Sequence, residues 1–512
     1  MAEESKLYAL KPLIDRWPAI KKPKGHVQFR QKILWTGLCL ILYYLLTNII
    51  IYGLAPERLD LFAGYRFIMA GASGSIVHLG IGPIVTASII MQLFVGAKII
   101  KLDLQDPKDR GIYQGTQKIL VIVMILVEAL PQVFGYLSPS AQLVGMVGGT
   151  AAQGVIISQL FIGALIVFLM DEVISKWGIG SGVSLFIAAG VSQAIVTGSF
   201  NWLPVTGSGA LSLSNPPAGT LPMSYYMTTH MSLGDLVGGG FENMFIGGGS
   251  VPNPIIAVLG TIAIFLFVVY AESSRIELPL AHGRVRGARG RYPLRLIYAS
   301  NIPVILMSAL LANINMFALL LYTRLSNFPL LGNAWWIGKY EVGSTAASAG
   351  GAWYLSAPNG LISWLFPMID PQYASYLQGH APWQMGVRVI VYLLVMVIGS
   401  ILFAKFWIAT TNMGPEAVAR QIQSSGMQIP GFRRDPRIIK KVLSRYIPVI
   451  TVISGAVVGG LAAGADMIGT VGQSSGTGVL LTVGIIIRLY EDIAKEQAME
   501  MHPVLRKFFG AE

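Results

Sequence analysis

Long apolar blocks alternate with short polar stretches from end to end of the chain. A bilayer core of ~30 Å takes about 20 apolar residues in helical form. On that measure the pattern predicts ten spans, near 33–53, 81–97, 117–137, 154–173, 183–198, 255–271, 297–321, 387–409, 446–463 and 476–490. The second, fifth and tenth are short. Ten spans divide into two sets of five, and because five is odd the second set enters the bilayer from the opposite side. That parity permits an inverted repeat with a pathway between the halves. The fold class expected is an all-α polytopic membrane protein, with ten transmembrane helices as two inverted five-helix halves. Its segments are an N-terminal stretch 1–32, a first half 33–198, an outer loop 199–254, a second half 255–490 and a tail 491–512. The second half contains polar loops 272–295 and 410–446 and an outer loop 322–386.

Charge tests the count independently. With the N-terminus inside, the inner segments collect Lys6, Lys11, Arg16, Lys21, Lys22, Lys24, Arg30 and Lys32 in the first stretch, then Lys98, Lys101, Lys108, Arg110 and Lys118. Arg275, Arg284, Arg286, Arg289, Arg291 and Arg295 follow in one loop, and Arg420, Arg433, Arg434, Arg437, Lys440, Lys441 and Arg445 in another. Stretches 138–153, 199–254 and 464–475 have no Lys or Arg. Only Arg58, Arg66, Arg324, Lys339 and Arg388 fall outside. This positive-inside pattern predicts cytoplasmic N- and C-termini. About thirty residues precede the first apolar block and no A-x-A site follows it, so a cleavable signal peptide is not expected.

Composition sharpens the class. Of 512 residues 54% are hydrophobic and 12% charged, about half the charged share of a soluble domain, and mean hydropathy is +0.61. The single cysteine, Cys39, excludes an intramolecular disulfide, and six scattered histidines without HExxH give no support for zinc chemistry. No metal, cofactor or catalytic residue is expected, and the chain has no GxxxxGK[ST] loop, so energy must come from a partner. A secondary transporter would need ionisable ligands at the midplane, and beyond Glu128 there is almost nothing to serve. A membrane hydrolase could use Ser474 in GQSSG, but that motif needs a strand–turn–helix setting with Asp and His partners. Here it falls in an outer loop, and only His502 follows, on the other side of the membrane.

Several stretches resemble the SecY-type protein-conducting channel subunit, in its archaeal and eukaryotic branch. They are LGIGPIVTASIIMQL (79–93), DEVISKWGIGSGVSLFIAAGVSQ (171–193), ELPLAHGRVRG with YPLRLIYASNIPVIL (277–306), GFRR (431–434), RYIPVIT (445–451), GTGVLLTV (476–483) and HPVLRKFFG (502–510). They come in the family's order. The outer loops 199–254 and 322–386 look longer than the family's, and their Gly, Ser, Asn and Pro content reads as irregular structure.

The resemblance implies the central pore-forming subunit of a channel that translocates secretory polypeptides and releases membrane segments sideways into lipid. Between the first two spans lies RLDLFAGYRFIMAGASGSIVHLG, which with Arg58, Asp60, Arg66 and His78 is too charged to span. By physics alone it reads as an amphipathic helix on the outer leaflet. By resemblance 58–79 is the plug that closes the channel, hinged at Gly71, Ser73, Gly74 and Ser75. The resemblance also makes Ile81, Val85, Val183, Ile187, Ile305 and Leu481 a hydrophobic pore ring; otherwise they are ordinary core aliphatics. A narrow apolar constriction dewets and so blocks ions without a charged gate. Thr86, Glu128 and Asn313 are polar residues inside apolar helices, costly unless they face a partner or cavity. By resemblance they form the polar seam of a lateral gate. Lipid attraction and topology explain the two Arg-rich loops. By resemblance they also dock the ribosome through rRNA phosphates, with Arg284, Arg286, Arg433 and Arg434 as contacts. Two small membrane subunits, SecE-like and Sec beta-like, are implied as partners, with the nascent polypeptide and membrane lipids.

Overall fold

The structure, a computed structural model, describes residues 6–16, 20–25, 27–55, 69–102, 104, 106–135, 137–205, 209–213, 215–247, 252–282, 289–295, 297–324, 336–341, 346–377, 379–411, 413–424, 427–428 and 436–501. The apolar blocks fold as helices. The ten longest among the described residues are α1 (Phe29–Asn48), α2 (Gly82–Gly96), α3 (Pro107–Gly135), α4 (Gly149–Trp177), α5 (Gly182–Phe200), α6 (Ile255–Ser273), α7 (Ile302–Arg324), α8 (Pro382–Thr410), α9 (Pro436–Ile468) and α10 (Gly476–Met501). Each meets one expected span. By length and hydropathy α3 to α9 can each cross a bilayer, and α2 is a shorter apolar helix.

Several helices outrun the blocks that predict them. α3 and α9 begin about ten residues early, and α10 runs on past 490. Their added turns carry Lys, Arg, Asp and Glu, which water solvates, so hydropathy reads only the buried part. α1 does the reverse and stops at Asn48, not near 53. There Thr47 and Asn48 turn back to donate to the Tyr44 carbonyl, and the chain continues extended. Its backbone then pairs with the stretch before α2: Ile51 N–H donates to Gly74 O (3.0 Å) and Ile76 N–H to Ile49 O (2.9 Å).

The two halves share one packing plan. In the first half α1 packs on α4 and α5, α2 on α3, and α4 on α3 and α5. In the second, α6 packs on α9 and α10, α7 on α8, and α9 on α8 and α10. Adding five to each helix number maps the first set onto the second, the internal repeat that parity only permitted. The halves meet where α5 lies against α10, and where α2 and α3 lie against α7, with α2 also touching α8. Lys32 near the start of α1 pairs with Glu496 near the end of α10 at 2.6 Å, and Phe29 N–H donates to Glu500. The first and last helices therefore begin and end on one face.

That face also carries the basic loops, which build a small sheet. Strand β1 (Arg275–His282) pairs antiparallel with β2 (Arg289–Arg295), and β3 (Met427–Gln428) adds to the other edge of β1. Two loops distant in sequence thus share one three-stranded sheet. The outer loops are not the irregular stretches their composition suggests. Helix Thr220–His230 and a helical run at 233–245 pack around Met223, Met227 and Met244. In the second loop Tyr340, Trp353, Leu377 and Met385 join Ala318 and Leu319 of α7 in a satellite core. Turn-forming residues mark where these short helices stop, while apolar residues between them form the cores.

Candidate pore and gate

The six ring positions come from α2, α5, α7, α10 and the residue preceding α2. Ile81, Val85, Ile187, Ile305 and Leu481 are buried in the central core, and Val183 packs against it. Many other aliphatics share that core, so burial alone does not set the six apart. For two of them, position along the helices adds an observation. A cavity of about 290 Å³ lies on the face of the basic loops, lined by Ser184 and Leu185 of α5, Ile302 and Ile305 of α7, and Gly484 and Ile485 of α10. A second, of about 280 Å³, lies toward the outer loops between α1, α5 and residues 70–73, lined by Tyr43, Gly71, Ser73, Gly190 and Gln193. On α5, Ile187 falls between the residues of the two cavities. On α10, Leu481 stands about one turn from Gly484 and Ile485 on the outer side.

The segment entering α2 explains how Ile81 and Val85 are placed. Pro83 lies in the first turn of α2, where its missing N–H costs little. Ile81 N–H donates to Met69 O at 2.7 Å, and Tyr43 donates to Ala70 O at 3.0 Å. Gly80 has φ +55°, and a β-carbon there would collide with the Met69 and Ala70 carbonyls. Of the expected hinge, Gly74 and Ser75 are tied to the end of α1, while Gly71 and Ser73 line the outer cavity. Arg58, Asp60 and Arg66 lie outside the described residues.

The three polar residues singled out by sequence lie together. Asn313 Nδ2 on α7 donates to Thr86 Oγ1 on α2 at 3.1 Å, and the Thr86 hydroxyl stands 2.8 Å from Glu128 Oε1 on α3, its other acceptor being Gly82 O. Glu128 and Asn313 are buried. A β-carbon on Gly82 would stand 2.8 Å from Glu128 Oε2, so the glycine lets the carboxylate approach. One chain of hydrogen bonds thus crosses the line where the halves meet. On the same helix as Thr86, Ile90 is half-buried against the core.

Sequence reasoning missed a second polar pair. Asp171 near the end of α4 accepts the Val183 N–H at 2.9 Å, twelve residues on. Asp466 near the end of α9 accepts the Thr477 N–H at 2.9 Å, eleven residues on, and the Thr477 and Tyr392 hydroxyls at 2.7 Å each. Each carboxylate satisfies N–H groups that a helix start leaves without partners. Gly182 and Gly476 open those helices, and a β-carbon at either would strike the preceding helix. The signal was present as G-x-x-S-G at 178–182 and again at 472–476. Ile187 and Leu481 each stand five residues after the last glycine, so the repeat relates two ring positions. Ser474 is therefore part of a turn: its hydroxyl donates to Val471 O at 2.6 Å. His502, the only histidine after it, lies outside the described residues.

On the basic face, Glu172 accepts from Lys118, from Lys176 at 3.1 Å and from Ile20 N–H at 3.0 Å, fastening the N-terminal stretch to α4. The sheet joins the two basic loops through Ala281 with Gln428 and His282 with Met427. Arg284, Arg286, Arg433 and Arg434 lie outside the described residues. Among the described residues no cluster of His, Cys, Asp or Glu could hold a metal ion.

A family model described as SecY matches residues 75–490, and one described as the plug domain of Sec61p matches 41–74. The chain is 45% identical to protein translocase subunit SecY of Archaeoglobus fulgidus, over 99% of this chain and 100% of that one. To the SecY subunit of Haloferax volcanii it is 44% identical, over 98% and 99%. It superposes on a solved protein conducting channel with TM-score 0.75 at 38% identity, covering 96% of this chain and 98% of that one. A structure described as showing that the SecY plug domain stabilises the closed state and maintains a membrane seal gives 0.73 at the same identity and coverage. Sec61 in a canine ribosome-channel complex gives 0.72, again at 38% identity over 96% and 98%.

Proposed function

The chain belongs to the SecY family, the channel subunit of protein translocase, and we propose that polypeptide passes between its halves through a constriction formed by Ile81, Val85, Val183, Ile187, Ile305 and Leu481. It is a multi-pass membrane protein that conducts protein. The observation that carries the proposal is the apolar level marked by Ile187, which on α5 lies between cavities on opposite faces, and by Leu481, a turn to the outer side of the inner one. Such a band excludes ions by dewetting and offers a passing chain no specific contact. The stretch 58–79, overlapping the matched plug region 41–74, closes it from the outer side.

Thr86, Glu128 and Asn313 form the seam of the lateral gate. Separation of that seam exposes a passing segment to lipid, and transfer energy decides its fate. Leu or Ile favours the bilayer by ~0.3–0.6 kcal/mol each, whereas a central Asp, Lys or Arg costs ~2.5–3.5 kcal/mol. The termini are cytoplasmic, on the face of the basic loops. A solved relative stands in a ribosome-channel complex, and in this chain Arg284, Arg286, Arg433 and Arg434 meet rRNA phosphates. Two small subunits, similar to SecE and the archaeal Sec beta subunit, brace the halves. No step of catalysis is assigned to the chain.

The test places a photo-crosslinking amino acid at Ile187 or Ile305 in the complex carrying a stalled polypeptide. Both positions should capture the polypeptide, whereas Leu266, 63% exposed on α6, should capture only lipid. A polypeptide that crosslinks at Leu266 and not at Ile187 would move the pathway out of the interior.

A further inference from the structure

The longest outer stretch without Lys or Arg, 199–254, carries a surface that the proposed ring and seam do not include. Within the helical run 233–245, Leu236, Gly240 and Met244 are buried, four residues apart. Met244 joins a small core with Met223 and Met227, against which Met231 and Ile255 pack, and Gly240 faces Met231. One residue further on, the same spacing gives Val237, Phe241 and Phe245, with Leu233 a turn before them. All four are exposed, Leu233 at 83% and Val237 at 79%. The run kinks at Gly239, whose φ is +134°, so Leu233 and Val237 share a face before the kink and Phe241 and Phe245 share one after it, a stripe in two segments. The polar residues fall elsewhere: Ser232 donates to Asp235, and Glu242 accepts from Tyr373 and Gln372 of the second outer loop.

We infer that 233–245 lies in the membrane interface, with Leu233, Val237, Phe241 and Phe245 among the acyl chains near the headgroups of the outer-loop face. The occupant is lipid because residues 241–245 pack against α6, a helix apolar and long enough to cross a membrane. Ile255 opens α6, whose Leu259, Ile262 and Leu266 are exposed apolar side chains on a helix long enough to span. Trp202 and Tyr225, both exposed, contact edge-on at 6.2 Å in the same loop, the residue types that settle at headgroup level. The attachment is purely apolar. With Asp235 and Glu242 and no cation, the run has no attraction for anionic headgroups, unlike basic interfacial helices. The inference depends only on the chain crossing a membrane and stands apart from the ring and seam.

Depth-dependent quenching tests it. In full-length protein reconstituted in vesicles, Cys39→Ala removes the one native thiol, and Val237→Cys or Phe241→Cys is labelled with the fluorophore NBD. Nitroxide lipids labelled near the headgroup should quench most of the emission, iodide in the water very little. High salt and a change from zwitterionic to anionic lipid should leave both unchanged. NBD at Glu242→Cys should respond the opposite way, being quenched by iodide. Strong iodide quenching at 237 and 241 would overturn the inference. So would shielding from both quenchers that appears only with the small subunits present, since the stripe would then be a protein interface.

Discussion

Six aliphatic side chains from four separate regions of the chain, at 81–85, 183–187, 305 and 481, have no sequence proximity between regions to give them a common phenotype. If they seal the passage together, Ile187→Ser with Leu481→Ser should wet the constriction, and the resting channel should conduct ions in a planar bilayer. Leu266→Ser, on the exposed side of α6, should leave conductance unchanged, and so serves as the contrast better than half-buried Ile90. An ion-tight double variant would reduce the six to ordinary packing. The seam obeys different arithmetic. Thr86→Ala takes from Glu128 its hydroxyl and from Asn313 its acceptor. A buried polar group stripped of its partner costs ~1–3 kcal/mol, and that cost falls on the closed state. Translocation of substrates with weakened signal sequences should therefore rise. Replacing all three at once, by Val, Leu and Leu, removes every group needing a partner. That variant should hold the seam shut and depress insertion of marginally apolar segments. Equal behaviour of the single and triple variants would detach the hydrogen bonds from gating.

At the scale of elements, Asp171 and Asp466 anchor the first turns of α5 and α10, the helices that carry Val183, Ile187 and Leu481. Loss of an N-cap acceptor typically costs ~0.5–2 kcal/mol. Asp466→Ala also removes the 2.7 Å acceptor of the Tyr392 and Thr477 hydroxyls, so it should exceed Asp171→Ala in lowering Tm. Asn keeps an acceptor oxygen and should restore part of the loss in both. If the anchors also set the height of the ring residues, the Ala variants should leak ions at temperatures where they remain folded. Leak without a fall in Tm, or a fall in Tm without leak, separates positioning from stability. These anchors were hard to read in the sequence because a residue and its partner eleven or twelve positions apart belong to no helical or strand period. Hydropathy found the helices because lipid demands apolar length, and it misplaced ends such as Pro107 and Met501 because water does not. Strand β1 departs from the all-α expectation, although Ile276, Leu278 and Leu280 do alternate with Glu277 and Pro279. Its pairing with β3 was not legible, since nothing local joins residue 281 to residue 428. Thr86, Glu128 and Asn313 could be picked out one by one for being polar among apolar neighbours. That they share one chain of bonds is a property of three helices packed together.

For the molecule as a whole, the packing plan states which contacts opening must break. Within the first half α4 packs on three of the other four helices, and within the second α9 packs on all four, which ties each half together. Between halves, α5 against α10 joins the middle, and Lys32 with Glu496 joins α1 to α10. The remaining contacts are those of α2 and α3 with α7 and α8, where Asn313 to Thr86 is the hydrogen bond that crosses. On the proposed gate, opening at that line would leave the other contacts in place, a hinge closure in reverse. A covalent bridge should therefore matter only on one side. In the Cys39→Ala background, Thr86→Cys with Asn313→Cys, joined by a short bifunctional thiol reagent that a reductant cleaves, should stop both translocation and lateral insertion until it is cleaved. Lys32→Cys with Glu496→Cys, joined by the same reagent, should leave both nearly intact, because those residues stay neighbours throughout. If the bridge across α2 and α7 leaves insertion running while the one across α1 and α10 halts it, the halves part on the opposite side. The three polar residues would then be a fixed strut across a line that never opens.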